Sequence, residues 1–157
     1  MDLYSFFLLF PSIFMLHEFE EILLFPRFMD RNLQLQRRLL SGAFTPFRIN
    51  AIIYQKFILL LIILGLSVYF ESFVFYLTII LAYIYHVIGH VFQSIILRQY
   101  IPGVLSGIIT AGYCTYQIYD AVSANYMLLG YSFVTLLIIF VNIILCFKIL
   151  QMLKVLN

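Results

Sequence analysis

From its amino terminus the chain runs as a series of long apolar stretches separated by short polar connections. Four of them, Ala51–Phe70, Phe73–Leu97, Gly103–Ser123 and Met127–Met152, each supply the about 20 mainly apolar residues that a helix needs to cross a bilayer. A fifth stretch comes first. Leu3–Leu16 is apolar but too short to span, and it crosses only if its helix continues through His17-Glu18-Phe19-Glu20-Glu21 to Phe25, just before Pro26. The pattern therefore predicts an all-α fold, a single polytopic transmembrane helix bundle of about five spans. The spans fall at residues 3–25, 51–70, 73–97, 103–123 and 127–152, with a loop at 26–50. A re-entrant or interfacial first segment is the alternative. Within the loop, a short interfacial helix near Asn32–Ser41 is set against a solvated connection: Leu33, Leu40 and the pair Arg37 and Arg38 suit a membrane surface.

Composition agrees with the pattern. The chain is 64% hydrophobic and only 10% charged, with a mean hydropathy of +1.06. Soluble domains are nearer half apolar and a quarter charged, so a water-facing surface could not be covered. A net charge of +2 is too small to argue for a nucleic-acid partner; the expected partner is the lipid bilayer. Cys114 and Cys146 lie inside apolar runs, against a disulfide framework. The start reads Met-Asp without a basic region, and no small-residue cleavage site follows, so the first run is expected to be retained.

The placement of charge sets an orientation. Arg27, Arg31, Arg37, Arg38 and Arg48 follow the first span, Arg98 follows the third, and Lys148 and Lys154 close the chain. The other connections carry Glu71 and Asp120 and no Lys or Arg. The positive-inside rule then predicts a multi-pass protein of the cell membrane, N-terminus outside and C-terminus cytoplasmic. Lys56, a turn into the second span, can snorkel to the cytoplasmic headgroups.

The chemistry is concentrated. All three histidines, His17, His86 and His90, lie in apolar segments, and three of seven carboxylates, Glu18, Glu20 and Glu21, sit beside the first. Even lenient scales charge ~2.5–3.5 kcal/mol for an ionised group near the bilayer centre, so these groups need a partner, a water-filled cavity or a metal. At about 100° per residue, Glu20 and Glu21 flank His17 on one helical face, whereas Glu18 points elsewhere, towards pairing with Lys56. His86 and His90 share a face at i and i+4, extended by Tyr76, Tyr83 and Gln93. Ser106, Gly107, Thr110, Tyr113, Cys114 and Gln117 form a polar, small stripe on the fourth span, and Asn142 is a polar candidate on the fifth. His17 and His90 both lie eight residues from the cytoplasmic ends of their spans, at Phe25 and Arg98, which puts them in one layer about 12 Å deep. The expected metal ligands are His17, Glu21, His86 and His90, with Glu20 as catalytic base and Tyr100, Arg98, Gln93 and Asn142 in support. Zinc is the first choice of divalent metal, with iron or manganese also suited to this donor set. A metal-free network of mutually satisfied His and Glu is the alternative.

His17-Glu18-Phe19-Glu20-Glu21 reads as H-x-x-E-E, and after the later histidines Tyr100-Ile101-Pro102-Gly103 reads as Y-x-P-G. This combination resembles the HXXEE domain family of small bacterial membrane proteins, over nearly the whole chain. The resemblance implies that His17, Glu20, Glu21, His90 and the Y-x-P-G turn are the family's motif positions, and it names no reaction. The turn also has a local reason: Pro102 ends one helix and can open the next, and Gly103 permits a tight connection. His17-Glu18-x-x-Glu21 resembles the zincin H-E-x-x-H with Glu21 in the place of the second histidine. The Glu20-Glu21 pair with separate histidines resembles intramembrane CAAX-type proteases, but Phe25 stands where their arginine belongs. Desaturases and hydroxylases of membranes need more than three histidines, and no Ser–His pair is defined. The expected function is a metal-dependent, membrane-embedded enzyme of hydrolase type acting on a lipid or a membrane peptide. The rival classes are a transporter or ion-binding accessory protein and a small structural or immunity-type membrane protein.

Overall fold

The computed structural model describes residues 1–32 and 45–152. They form five helices: α1 (Leu3–Arg31), α2 (Pro46–Tyr69), α3 (Val74–Leu97), α4 (Val104–Ala124) and α5 (Met127–Met152), with no strand among the described residues. The proposed interfacial helix near Asn32–Ser41 lies, past Asn32, outside the described residues.

Local chemistry explains the helix ends. Asp2 caps α1 by accepting from Ser5 N and Ser5 Oγ, each at 2.8 Å. Proline was expected to stop this helix at Phe25, but α1 runs through Pro11 and Pro26 to Arg31. Proline removes one N–H from the ladder without forcing termination where neighbouring helices support the backbone. The helix ends instead where Asn32 turns back, its N–H reaching Met29 O at 3.0 Å and its side chain Phe28 O at 2.8 Å. At the next start, Thr45 Oγ1 accepts from Arg48 N at 3.3 Å and Pro46 takes the first helical position, so α2 begins five residues before the expected Ala51. The expected loop at 26–50 thus shrinks from both sides.

Three helices, α2, α3 and α5, are long and apolar enough to cross a membrane. The other two, α1 and α4, have the length but carry the carboxylates and the polar stripe, and both are drawn into the bundle. The outer surface is apolar: Leu23, Ile96, Leu105 and Ile138 are each more than 60% exposed, and only 6% of the most apolar stretch of α5 is buried. Such a surface suits lipid as the solvent.

Within the bundle, α3 packs on α4 and α5, and α1 packs on α2 and α4. Large rings bring α1 against α3. Phe7 stacks on Phe73 at 4.8 Å, Phe10 meets Tyr76 and Tyr83 edge-on at 5.9 and 5.6 Å, and Phe14 meets Tyr83 at 6.0 Å. Offset and edge-on pairs of this kind are each worth about 0.5–1.5 kcal/mol beyond burial. Hydrogen bonds bind the other helices: Thr135 to Thr78 at 3.1 Å, Tyr83 to Thr110 at 2.5 Å, and Gln55 to Asn142 at 3.2 Å. The aromatic ladder continues with His17, whose ring meets Tyr83 at 5.4 Å and His86 and His90 each at 5.6 Å.

Candidate metal centre

Helical spacing presents two pairs of side chains towards each other. On α1, His17 and Glu21 are one turn apart; on α3, so are His86 and His90. Their ligand atoms all lie within 4.8 Å of one another. Glu21 Oε1 is 3.0 Å from His90 Nε2, 3.4 Å from His17 Nε2 and 3.7 Å from His86 Nε2. His86 Nε2 and His90 Nε2 are 2.9 Å apart. Ligands placed at about 2.0–2.1 Å from a tetrahedral ion are about 3.3–3.4 Å from one another, so these separations bracket the edges of such a tetrahedron.

Buried polar atoms discriminate between a metal and a proton-sharing network. A network must hydrogen-bond its members. Here the His86–His90 contact is a hydrogen bond, but Glu21 Oε1 and both ring nitrogens of His17 are buried without a hydrogen-bond partner among the described residues. The contacts of Glu21 with the three imidazoles are short without the geometry of hydrogen bonds. Apart from the His86–His90 bond, the three imidazoles and the carboxylate converge without hydrogen-bonding one another, a donor set that a divalent cation could occupy.

The seat for His17 is made of glycine. A Cβ at Gly103 would lie 2.8 Å from His17 Cε1 and 3.1 Å from Glu21 Oε1, and one at Gly107 would lie 3.1 Å from His17 Nδ1 and 2.9 Å from Val87. Gly103 also takes φ +92°, a region that disfavours other residues. Gly103-x-x-x-Gly107 is therefore a small-residue face that lets the imidazole lie close against α4.

Glu20 has a different place from the one expected. As the N-cap of α4, Gly103 has no side chain to satisfy the first backbone N–H groups of the helix. The Glu20 carboxylate does so from α1, accepting from Gly103 N at 2.9 Å and Ser106 N at 2.7 Å, and also from the Tyr100 hydroxyl. Anionic caps at helix N-termini are favoured by the helix dipole as well. Burial and the neighbouring Glu20 carboxylate hold the Tyr100 hydroxyl above its ordinary pKa, which keeps it a donor. The H-x-x-E-E and Y-x-P-G segments are thus bonded to each other, and Glu20 is engaged rather than free to act as a base.

The remaining expected residues separate. Glu18 is fully buried and accepts from Lys56 Nζ at 2.7 Å, while its Oε2 has no partner among the described residues. Gln93 continues the histidine face of α3 but is exposed. Arg98 is exposed and ends α3 in the left-handed conformation, φ +50°. Asn142 bonds Gln55 and does not join the histidines. Both Glu18 and Asn142, with Lys56 and His86, line a cavity of about 260 Å³ beside the centre. His86 is the most accessible of the four ligand side chains, 37% exposed against 0–12% for the others. The seat at Gly103 and Gly107 and the cap by Glu20 were missed as site features; the G-x-x-x-G spacing was the available signal for the first.

An all-helical bundle with a membrane-type surface and a partly buried three-histidine, one-carboxylate cluster is the class that fold and site define. The model of a family described as a protein of unknown function with HXXEE motif matches residues 8–117, and the chain belongs to that family. No curated protein and no solved structure matches it.

Proposed function

We propose that this protein is a membrane-embedded, metal-dependent enzyme of hydrolase type that acts on a lipid or membrane-bound peptide. His17, Glu21, His86 and His90 are the ligands, zinc is the first choice of ion, and iron or manganese would accept the same set. The observation that carries this reading is the convergence of four donor atoms within 4.8 Å, with Glu21 Oε1 and His17 Nε2 buried and without a hydrogen-bond partner among the described residues. A divalent ion there would lower the pKa of a bound water towards neutral. The carboxylate placed to take its proton is Glu18, whose Oε2 has no hydrogen-bond partner among the described residues and which shares a cavity with His86. Glu20 supports the site by fixing α4 against α1. In the bilayer the N-terminus is outside, and the centre lies in the cytoplasmic half.

A second reading has its own support. Four protein ligands complete a tetrahedral zinc site, as structural sites do, whereas catalytic sites keep a position open. That completeness favours a non-catalytic ion-binding or transport protein. The accessibility of His86 and its cavity favours the enzyme. Metal analysis of detergent-purified wild type beside His17→Ala tests the shared premise. One equivalent of metal in the wild type and none in the folded variant is expected; a folded, metal-free wild type that cannot be loaded with zinc would refute it. Turnover of ester or amide substrates, against ion flux in vesicles, then separates the two readings.

A further inference from the structure

We infer that the cavity beside the centre is a binding channel for a single hydrocarbon chain, whose polar, hydrolysable end lies at His86 and the Glu18–Lys56 pair. The inference rests on the enzyme reading for the fate of the ligand but on the cavity alone for its binding.

Shape is the first argument. The lining runs along α3 from Phe75 to His86, which is about 16 Å at 1.5 Å per residue. At about 260 Å³ the cavity is narrow for that length and lies just below the ~300–1,000 Å³ of ordinary ligand pockets, which suits one medium-length chain rather than two chains or a folded peptide segment.

Polarity is the second. The charged and amide groups, Glu18, Lys56, His86 and Asn142, lie at the end of the lining towards the metal centre. The far end, at Phe75, Ile79 and Phe10, is apolar, and the nearby hydroxyls of Thr135 and Tyr83 are already bonded, the first to Thr78 and Tyr131 and the second to Thr110. A ligand with a long apolar tail and one polar end matches this gradient in a single direction. Glu18 neutralises Lys56, so the site calls for no charged head and accepts an uncharged acyl group: an ester, an amide or a protonated carboxylic acid.

Access is the third. Ile138 and Phe140 line the cavity and are also more than 60% exposed on the outer face of α5. A chain can therefore pass from the bilayer into the cavity without crossing water. The route suits a lipid tail and does not require a soluble substrate.

The test uses purified protein in lipid nanodiscs and decanoate carrying a terminal diazirine. On photolysis of the wild type, adducts are expected at Phe10 and Ile79, inside the lining; adducts concentrated at lipid-facing positions such as Leu23 and Ile96 would overturn the channel. Ile63→Trp and Ile139→Trp, at separate points of the lining, are each expected to weaken saturable decanoate binding by about tenfold or more, since the added ring would occupy the space the chain needs. Binding indifferent to both, in variants that keep wild-type helix content and elution volume, overturns the proposal. Didecanoyl phosphatidylcholine should compete about tenfold less well than decanoate; equal competition refutes a single-chain channel. His17→Ala separates the two readings. It should retain decanoate binding while losing metal, so a failure of the metal centre leaves the channel standing, and a failure of the channel leaves the metal result untouched.

Discussion

Replacing Gly103 by alanine perturbs the centre while leaving every ligand in place. The residue sits at φ +92°, where a side chain costs roughly 1–2 kcal/mol. The new Cβ would stand 2.8 Å from His17 Cε1. Comfortable carbon contacts begin at about 3.5–4.0 Å, so the ring or the helix must retreat by roughly 0.7–1.2 Å. The ring has little room, because Tyr83 closes one side at 5.4 Å and Gly107 lies against Nδ1. Metal sites tolerate ligand distances only within about 0.2 Å of ideal. Zinc affinity of the folded variant should therefore fall by about 10- to 100-fold, the usual effect of disturbing the support of a ligand. The assay is a zinc titration against a competing chelator in detergent, with helix content followed in parallel. Gly112→Ala is the control: its Cβ meets nothing within 4 Å, and it should bind zinc like the wild type. If folded Gly103→Ala held zinc as tightly as the wild type, the seating of His17 against α4 would be wrong.

Other outcomes follow from the same geometry. Glu20→Gln offers an NH₂ where an N–H already points, so it should lower stability by about 1.5–3 kcal/mol in thermal unfolding, and Tyr100→Phe by about 1 kcal/mol, with zinc retained in both; loss of zinc in Glu20→Gln with full stability would make Glu20 a ligand. Lys56→Met strands the buried Glu18 carboxylate and should cost about 3–5 kcal/mol, most of it regained in the double variant with Glu18→Leu. A single Lys56→Met as stable as the wild type would contradict the buried pair. In a background lacking Cys114 and Cys146, cysteines at Ser72 or Asn125 should be labelled from outside, and one at Ser41 or Gln99 only from the cytoplasm. External labelling of Ser41 would reverse the orientation.

Hydrophobic runs made the helices legible, because in lipid nearly every residue of a span must be apolar whichever way it faces. The limits of α5 are those expected, Met127 to Met152, and those of α3 and α4 differ by a residue at most. The ends of α1 and α2 were less legible. Proline was read as a stop at Pro26, yet the helix continues, and Thr45-Pro46 was not recognised as a start. Within the site, i and i+4 spacing correctly predicted which histidines share a face, and cost in lipid predicted that the two groups would meet. Periodicity could not distinguish Glu20 from Glu21. Relative to His17 they lie at about −60° and +40° on the helix, both acceptable for a ligand. What separates them is the neighbour on each side: α3 with its histidines, or the bare N-terminus of α4 more than 80 residues away in sequence. Arg98 was expected in a supporting role, and what the structure adds is that its backbone forms the left-handed turn that ends α3.

The five residues from His17 to Glu21 act as a junction rather than as a row of equivalent acids. Successive positions of a helix diverge by about 100°, so three carboxylates within four residues must face three directions. Glu18 is turned to Lys56 on α2, Glu20 to the first turn of α4, and Glu21 with His17 to the histidines of α3. Each contact also solves a separate problem of burial: an ammonium in a low-dielectric interior, backbone N–H groups without a cap, and imidazoles inside an apolar bundle. Because all three sit on one rigid turn, moving any of them moves the other two. Glu20 thus adds to the stability with which α4 packs beside His17, although it touches none of the four candidate ligands through a hydrogen bond or ion pair among the described residues. A short helical segment with one acid per neighbouring helix is the smallest arrangement that can register α2, α3 and α4 around a common point, and that point is where the four donor atoms converge.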